Sequence, residues 1–226
     1  MNYLLESYPM ILSRASQLYT DKLLSEEDRH KASRYIRAED RDRFIAARIL
    51  FYAYLKSKIP SFESLKDLTY DRYGKPFLDA GGFSFNWSHS GDLIALIVGK
   101  TECGIDVELH SAAPLFDYRS VCTEKEWMWI ADGEKSSRFY QLWTAKESVL
   151  KATGFGLSIN PADIEVLYQN EREFSGTLPG GKKYYGCSYT KTEAGNVYSI
   201  SWCTGVQTVV SPVSAESILK ELFDNG

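Results

Sequence analysis

Ser84-Phe85-Asn86-Trp87-Ser88-His89-Ser90-Gly91-Asp92-Leu93-Ile94-Ala95-Leu96-Ile97-Val98 changes its rhythm halfway along. Phe83, Phe85 and Trp87 alternate with Ser84, Asn86 and Ser88. That period of two predicts a strand with one apolar face. Gly91-Asp92 is a turn signal. Leu93 to Val98 is then apolar without a break, as in a buried strand. Gly104 to Glu108 reads as a further short strand.

Outward from this core the periodicity changes. Residues 25–57 read as helical, with Ser25 and Asp28 resembling a capping start. Phe44, Ala47, Ile49, Leu50, Phe51, Tyr54 and Leu55 supply its apolar face, and Pro60 ends it. Tyr73-Gly74-Lys75-Pro76 is a turn. Downstream, Thr123 to Ala131 predicts a short helix and Arg138 to Thr153 a longer one, stopped by Gly154-Phe155-Gly156. From Asp163 onward strands are expected at Ile164–Tyr168, Lys182–Tyr189, Val197–Cys203 and Val206–Val210, then a short helix from Ser214 to Phe223. Helices and strands without regular βαβ alternation predict an α+β fold. Pro114 marks the passage into the second half, and the two halves are taken as residues 1–110 and 111–226.

The chain has 226 residues, 44% hydrophobic and 25% charged, which fits a globular protein with a sizeable core. No apolar run reaches the length of a membrane span. Met1 to Pro9 lacks a basic start followed by an apolar stretch, so no signal peptide is read. Cys103, Cys122, Cys187 and Cys203 form no C-x-x-C pair and read as reduced thiols of a cytoplasmic protein. Net charge is −4, yet Arg29 to Arg48 holds seven Lys or Arg against three acids. That window is +4 and leaves −8 for the rest. A single basic patch on an acidic chain suits a bound anion, or a solvated helix face, better than a nucleic acid.

Three places could carry chemistry. On the Gly104–Glu108 strand, Asp106 and Glu108 face one side. Two carboxylates so placed either stay wet or share a cation, and a hard cation such as Mg²⁺ takes carboxylate and phosphate oxygens. In the helix from Arg138, Lys146 interrupts the stripe of Phe139, Leu142, Trp143, Val149 and Leu150. It must snorkel or meet a buried anion. Glu147 and Lys151 flank that stripe as an i,i+4 pair. His89, between Ser88 and Ser90, either bonds within its turn or helps hold a phosphate. Lys75 on its Gly-Lys-Pro turn is a phosphate hook or a surface lysine.

The order of these places is informative. Asn86-Trp-Ser-His-Ser, then Gly104-Ile-Asp-Val-Glu, then Trp143-Thr-Ala-Lys-Glu-Ser-Val-Leu-Lys-Ala-Thr-Gly-Phe-Gly-Leu resembles the 4′-phosphopantetheinyl transferase superfamily. Length and the upstream Gly74-Lys-Pro resemble its larger, Sfp-type class. The match runs from about Lys31 to Leu157. It implies two similar α+β halves forming a pseudo-dimer, with coenzyme A in the cleft between them. It implies transfer of the phosphopantetheine arm of coenzyme A to a serine of an apo acyl or peptidyl carrier protein, with release of adenosine 3′,5′-bisphosphate.

The same resemblance implies roles. Asp106, Glu108 and Glu147 match the metal carboxylates for Mg²⁺, with Mn²⁺ as an alternative ion. Lys151 matches the phosphate-contacting lysine, with Lys146 in the same lining. Ser88 and His89 match the corner on the nucleotide end, and Lys75 and Pro76 the segment around the adenine. Lys31, Arg34 and Arg43 align with residues holding the 3′-phosphate. Glu126 matches the glutamate taken as the general base, with Glu124 its near alternative. Cys122 departs from the phenylalanine or serine usual near that segment, which leaves the local register open by a residue or two. No membrane or nucleic acid is implied, and one chain holding both halves is expected to be a monomer. Two other readings stay open: a different Mg²⁺-dependent hydrolase of phosphoanhydrides, and a non-catalytic module that binds coenzyme A or a carrier.

Overall fold

A computed structural model describes residues 1–15, 23–78, 82–111 and 118–224. Pro114 lies outside them. Strand β4 (Ser84–Ser90) and strand β5 (Leu93–Gly99) form the expected pair, antiparallel, with Ser90 opposite Leu93. β5 also pairs with β1 (Asn2–Ser7), which in turn takes the two-residue β11 (Ser211–Pro212) in parallel. This first sheet runs β11-β1-β5-β4.

The unbroken apolar run of β5 has a simple cause. Ile94, Leu96 and Val98 pack with Phe85 against helix α3 (Ala38–Lys58), through Ile49, Leu50, Phe51 and Leu55. Phe51 stacks on Phe85 at 4.1 Å. Leu93, Ala95 and Ile97 face the other way and join Ile105, Val107, Tyr198 and Ile200 of the second sheet. With side chains alternating, both faces need apolar residues.

The second sheet has the order β6-β10-β9-β8-β7, comprising β6 (Cys103–Leu109), β7 (Glu165–Tyr168), β8 (Glu173–Thr177), β9 (Lys183–Glu193) and β10 (Asn196–Thr204). Helix α5 (Lys135–Thr153) covers its outer face through Phe139, Leu142, Ala145, Val149 and Leu150, which meet Ile164, Val166, Phe174 and Tyr184. Each sheet thus carries one long helix outside and meets the other sheet inside, giving two α+β halves.

Several expectations are corrected. The helical run 25–57 is two helices, α2 (Glu26–Ser33) and α3, after the short α1 (Tyr8–Arg14). Tyr35 and Ile36 between them are exposed, so no core face sustains a helix there. Val206–Val210 is not a strand. Thr204 Oγ1 donates to Val206 O at 2.7 Å, Val206 and Val209 are exposed, and the chain joins the first sheet only at Ser211. The 110/111 division also departs from the hydrogen bonding. β6 belongs to the second sheet, whereas Ala215, Ile218 and Leu219 of helix α6 (Ala215–Asp224) return to the first core.

Candidate active site

β4 reaches β6 through side chains rather than backbone. Ser84 Oγ lies 3.6 Å from Cys103 Sγ, and Ile105 N donates to Asn86 Oδ1 at 3.2 Å. Ser88 Oγ donates to Asp106 Oδ1 at 2.7 Å, and Ser90 Oγ donates to Glu108 Oε2 at 2.8 Å. The polar half of the alternation in Ser84-Phe85-Asn86-Trp87 therefore sets the register between the strands. It also turns Asp106 and Glu108 to one side.

α5 approaches β6 on that same side. A Cβ on Gly104 would stand 2.0 Å from Ser148 O and 2.6 Å from Ala152 N, so only glycine permits the approach. The approach brings Glu147 and Lys151 to Asp106 and Glu108. Lys151 Nζ lies 2.5 Å from Asp106 Oδ1 and donates to Ser88 Oγ at 2.8 Å. Together with His89, Trp87 and Trp143 these residues line a cleft of about 370 Å³.

Its electrostatics are those of crowded anions. Burial, then the charge of Asp106, pushes Glu108 up to about 7. The same two causes raise Glu147. Asp106 Oδ2 is buried and has no hydrogen-bond partner. Three hard-oxygen donors with an orphaned oxygen fit a divalent cation. Among the described residues no three such groups converge closely enough to enclose an ion as they stand, and the Lys151 ammonium holds Asp106 Oδ1.

His89 is exposed at the mouth. The protein packed round its ring, then Lys151, Arg43 and Arg48, hold its pKa below the ordinary 6.5. Arg43 donates from Nε to Gly91 O at 2.6 Å and pairs with Asp40 at 2.8 Å. Lys75 Nζ donates to Ala152 O at 2.8 Å, tying the turn before Pro76 to the last turn of α5, and burial lowers its pKa. Pro76 is buried in the two-residue β3 (Pro76–Phe77), which pairs with β2 (Thr69–Tyr70). Lys31 Nζ lies over the rings of Tyr70 and Phe44, at 5.1 and 5.6 Å. Arg34 lines a separate shallow cleft with Tyr35, Ile36, Arg37 and Asp40.

Two expected roles fail on geometry. Lys146 does not line the cleft. Its side chain is wholly buried and pairs with Glu126 at 2.8 Å. Glu126 is no accessible base: its side chain is 1% exposed, and its oxygens accept from Thr123 N and Val166 N, each at 2.7 Å. The first of these bonds is half of the capping box that starts helix α4 (Glu124–Ala131). Glu124 is exposed and pairs with Arg119.

Arg48 is a residue that the sequence reading did not single out. Arg48 is buried between the rings of Phe44 and Trp87, and pairs with Asp28. A cation inside the apolar run Ala46 to Leu50 was its signal, as Lys146 was in α5.

Comparison with known proteins adds an independent finding. Residues 102–203 match the model of the 4′-phosphopantetheinyl transferase superfamily, and residues 13–101 match that of the 4′-phosphopantetheinyl transferase N-terminal region. The chain is 30% identical over 164 residues to the 4′-phosphopantetheinyl transferase gsp of Aneurinibacillus migulanus, covering 66% of this chain and 68% of that protein. It is 28% identical over 160 residues to the 4′-phosphopantetheinyl transferase Sfp of Bacillus subtilis, covering 69% and 71%. A Synechocystis sp. protein of like name is 36% identical over 146 residues, 60% of this chain but only 59% of that protein.

Proposed function

The chain belongs to the 4′-phosphopantetheinyl transferase superfamily, and from that premise we propose that it transfers the 4′-phosphopantetheine arm of coenzyme A to a serine of an apo acyl or peptidyl carrier protein. The observation that carries this reading is the Lys151 side chain. It joins Ser88 of the first sheet to Asp106 of the second, and so gathers the residues of all three motifs into one cleft.

The serine Oγ of the carrier attacks the phosphorus that bears the pantetheine arm. The bond from that phosphorus to the bridging oxygen breaks, and adenosine 3′,5′-bisphosphate leaves. Asp106, Glu108 and Glu147 would hold Mg²⁺, or Mn²⁺ in its place. When bound, the ion neutralises charge on the pyrophosphate oxygens and on the leaving group. Lys151 supplies a second cation for those oxygens once it turns from Asp106. The hydroxyl proton goes to the carboxylate of Glu147 on the α5 wall of the cleft, directly or through water. His89 and Arg43 stand together for the 3′-phosphate, and Lys75 with Pro76 for the adenine side.

Among the described residues no helix is long and apolar enough to cross a membrane. The buried thiols of Cys103 and Cys203 suit a reducing compartment, which supports the cytoplasm as the site of action. Both walls of the cleft come from one chain, which supports a monomer.

The test follows the nucleotide. Adenosine 3′,5′-bisphosphate should appear only when coenzyme A, Mg²⁺ and an apo carrier are all present, and not with a carrier whose serine is replaced by alanine. Release without any carrier would favour a hydrolase. Tight coenzyme A binding with no release on any carrier would favour a binding module.

A further inference from the structure

Glu126 and Lys146 are buried charged groups that the proposed chemistry leaves unused. Their side chains are 1% and 0% exposed and lie 2.8 Å apart. Lys146 Nζ also donates to Pro161 O at 2.9 Å and Ile164 O at 2.7 Å, which engages all three of its protons. Glu126 accepts from Thr123 N at the start of α4 and from Val166 N in β7. One ion pair thus ties α4, α5 and the segment leading into β7.

A buried ion pair is a poor choice for stability alone, since desolvating two charges offsets their attraction and apolar residues of equal volume often serve as well. It offers fixed direction instead. Glu147 and Lys151 project about 100° and 140° round the helix from Lys146, given 3.6 residues per turn. Turning α5 by about 20° would carry a side-chain tip, at a radius of about 5–6 Å, by about 2 Å. Reactive groups must be held within about 0.5 Å.

We propose that Glu126 and Lys146 are positioning residues: their buried pair fixes the rotation and height of α5, and so sets where Glu147 and Lys151 stand in the cleft. The proposal rests on the cleft being the transfer site, and its test keeps the two apart. Lys146 replaces the expected phosphate lining with a role one layer below it. Glu126 acts on the chemistry through α5 and touches no reacting atom.

The experiment uses the full chain with coenzyme A and no carrier, and follows Mn²⁺ binding by the paramagnetic resonance of the free ion. Melting temperature and carrier turnover are measured beside it. Glu126→Gln keeps the volume and one acceptor. Lys146→Met with Glu126→Gln also removes the unpaired charge that either single change would leave. Folded protein of either kind should bind Mn²⁺ about tenfold more weakly, the scale seen when the partners of metal ligands are removed, and kcat should fall with it. Mn²⁺ affinity and kcat both within twofold of the parent, at whatever melting temperature, would overturn the proposal. Failure of both variants to fold at the assay temperature would assign the pair to stability alone and overturn it equally. Asp106→Ala runs in parallel. If it keeps both Mn²⁺ binding and transfer, the reading of the cleft falls, whatever Glu126 does.

Discussion

Asp106 accepts from Ser88 and Lys151 through one oxygen and offers the other, buried, to nothing. Asp106→Ala should therefore lower transfer by at least about a hundredfold, the scale of removing one preorganised electrostatic group. Its melting temperature should change little, because the Lys151 side chain, 27% exposed, can turn to solvent. Circular dichroism melts and nucleotide release check both parts. An active Asp106→Ala enzyme contradicts the assignment. His89 offers a pH test. In the free protein its pKa is held low, so it is neutral at pH 7. A bound 3′-phosphate would raise that pKa, so binding takes up a proton and weakens as pH rises from the lowered free value through the raised bound one. Calorimetry in buffers of different ionisation enthalpy should show the uptake in the parent and its loss in His89→Ala. Equal proton uptake in both would return His89 to a turn-bonding role. At this scale the sequence was uneven. Alternation was enough to put Asp106 and Glu108 on one face. It could not choose between a phosphate and Glu126 as the partner of Lys146, because that partner lies 20 residues away and meets it only in the packed core.

Among the elements, the approach of β6 to α5 decides whether a site exists at all. Gly104→Ala should push the helix outward, since the new methyl meets backbone atoms of Ser148 and Ala152 that have little room to move. A loss of about 1–3 kcal/mol is expected, the usual cost of overpacking, together with a fall in transfer larger than that instability explains. Urea unfolding and turnover measured on the same sample check it. Full activity with a lowered midpoint would show that the separation of the two elements matters only for stability. Elements with strong periodicity were legible: β5, β6 and α5 lie within a few residues of their expected bounds. The break between α2 and α3 was missed although Glu26, Glu27 and Asp28, and again Glu39 and Asp40, place acids in two separate first turns. β8 was missed because Glu173-Phe174-Ser175-Gly176-Thr177 puts only one large apolar side chain into the core.

At the scale of the molecule, the two sheets meet through one apolar cluster, and the cleft opens where β4, β6 and α5 converge. The C-terminal helix α6 closes the first core, so that half depends on residues more than a hundred positions away. Truncation before Ala215 should expose Leu4, Ile11 and Leu50 and unfold the first half, measured as loss of near-ultraviolet dichroism; a folded, active truncation would contradict this. The α+β class was legible from the mixture of periods, but the place of β6 in the second sheet and of α6 on the first core was not. Neighbouring strands in sequence usually pair, and here β5 and β6 do not.

The most direct measurement is the intact mass of an apo carrier protein after incubation with this chain, coenzyme A and Mg²⁺, with and without chelator. The expected result is a gain of one phosphopantetheine group, abolished by chelator and by Asp106→Ala. No gain across acyl and peptidyl carriers while coenzyme A still binds, or a gain indifferent to chelator and to Asp106, would contradict the transfer chemistry placed in this cleft.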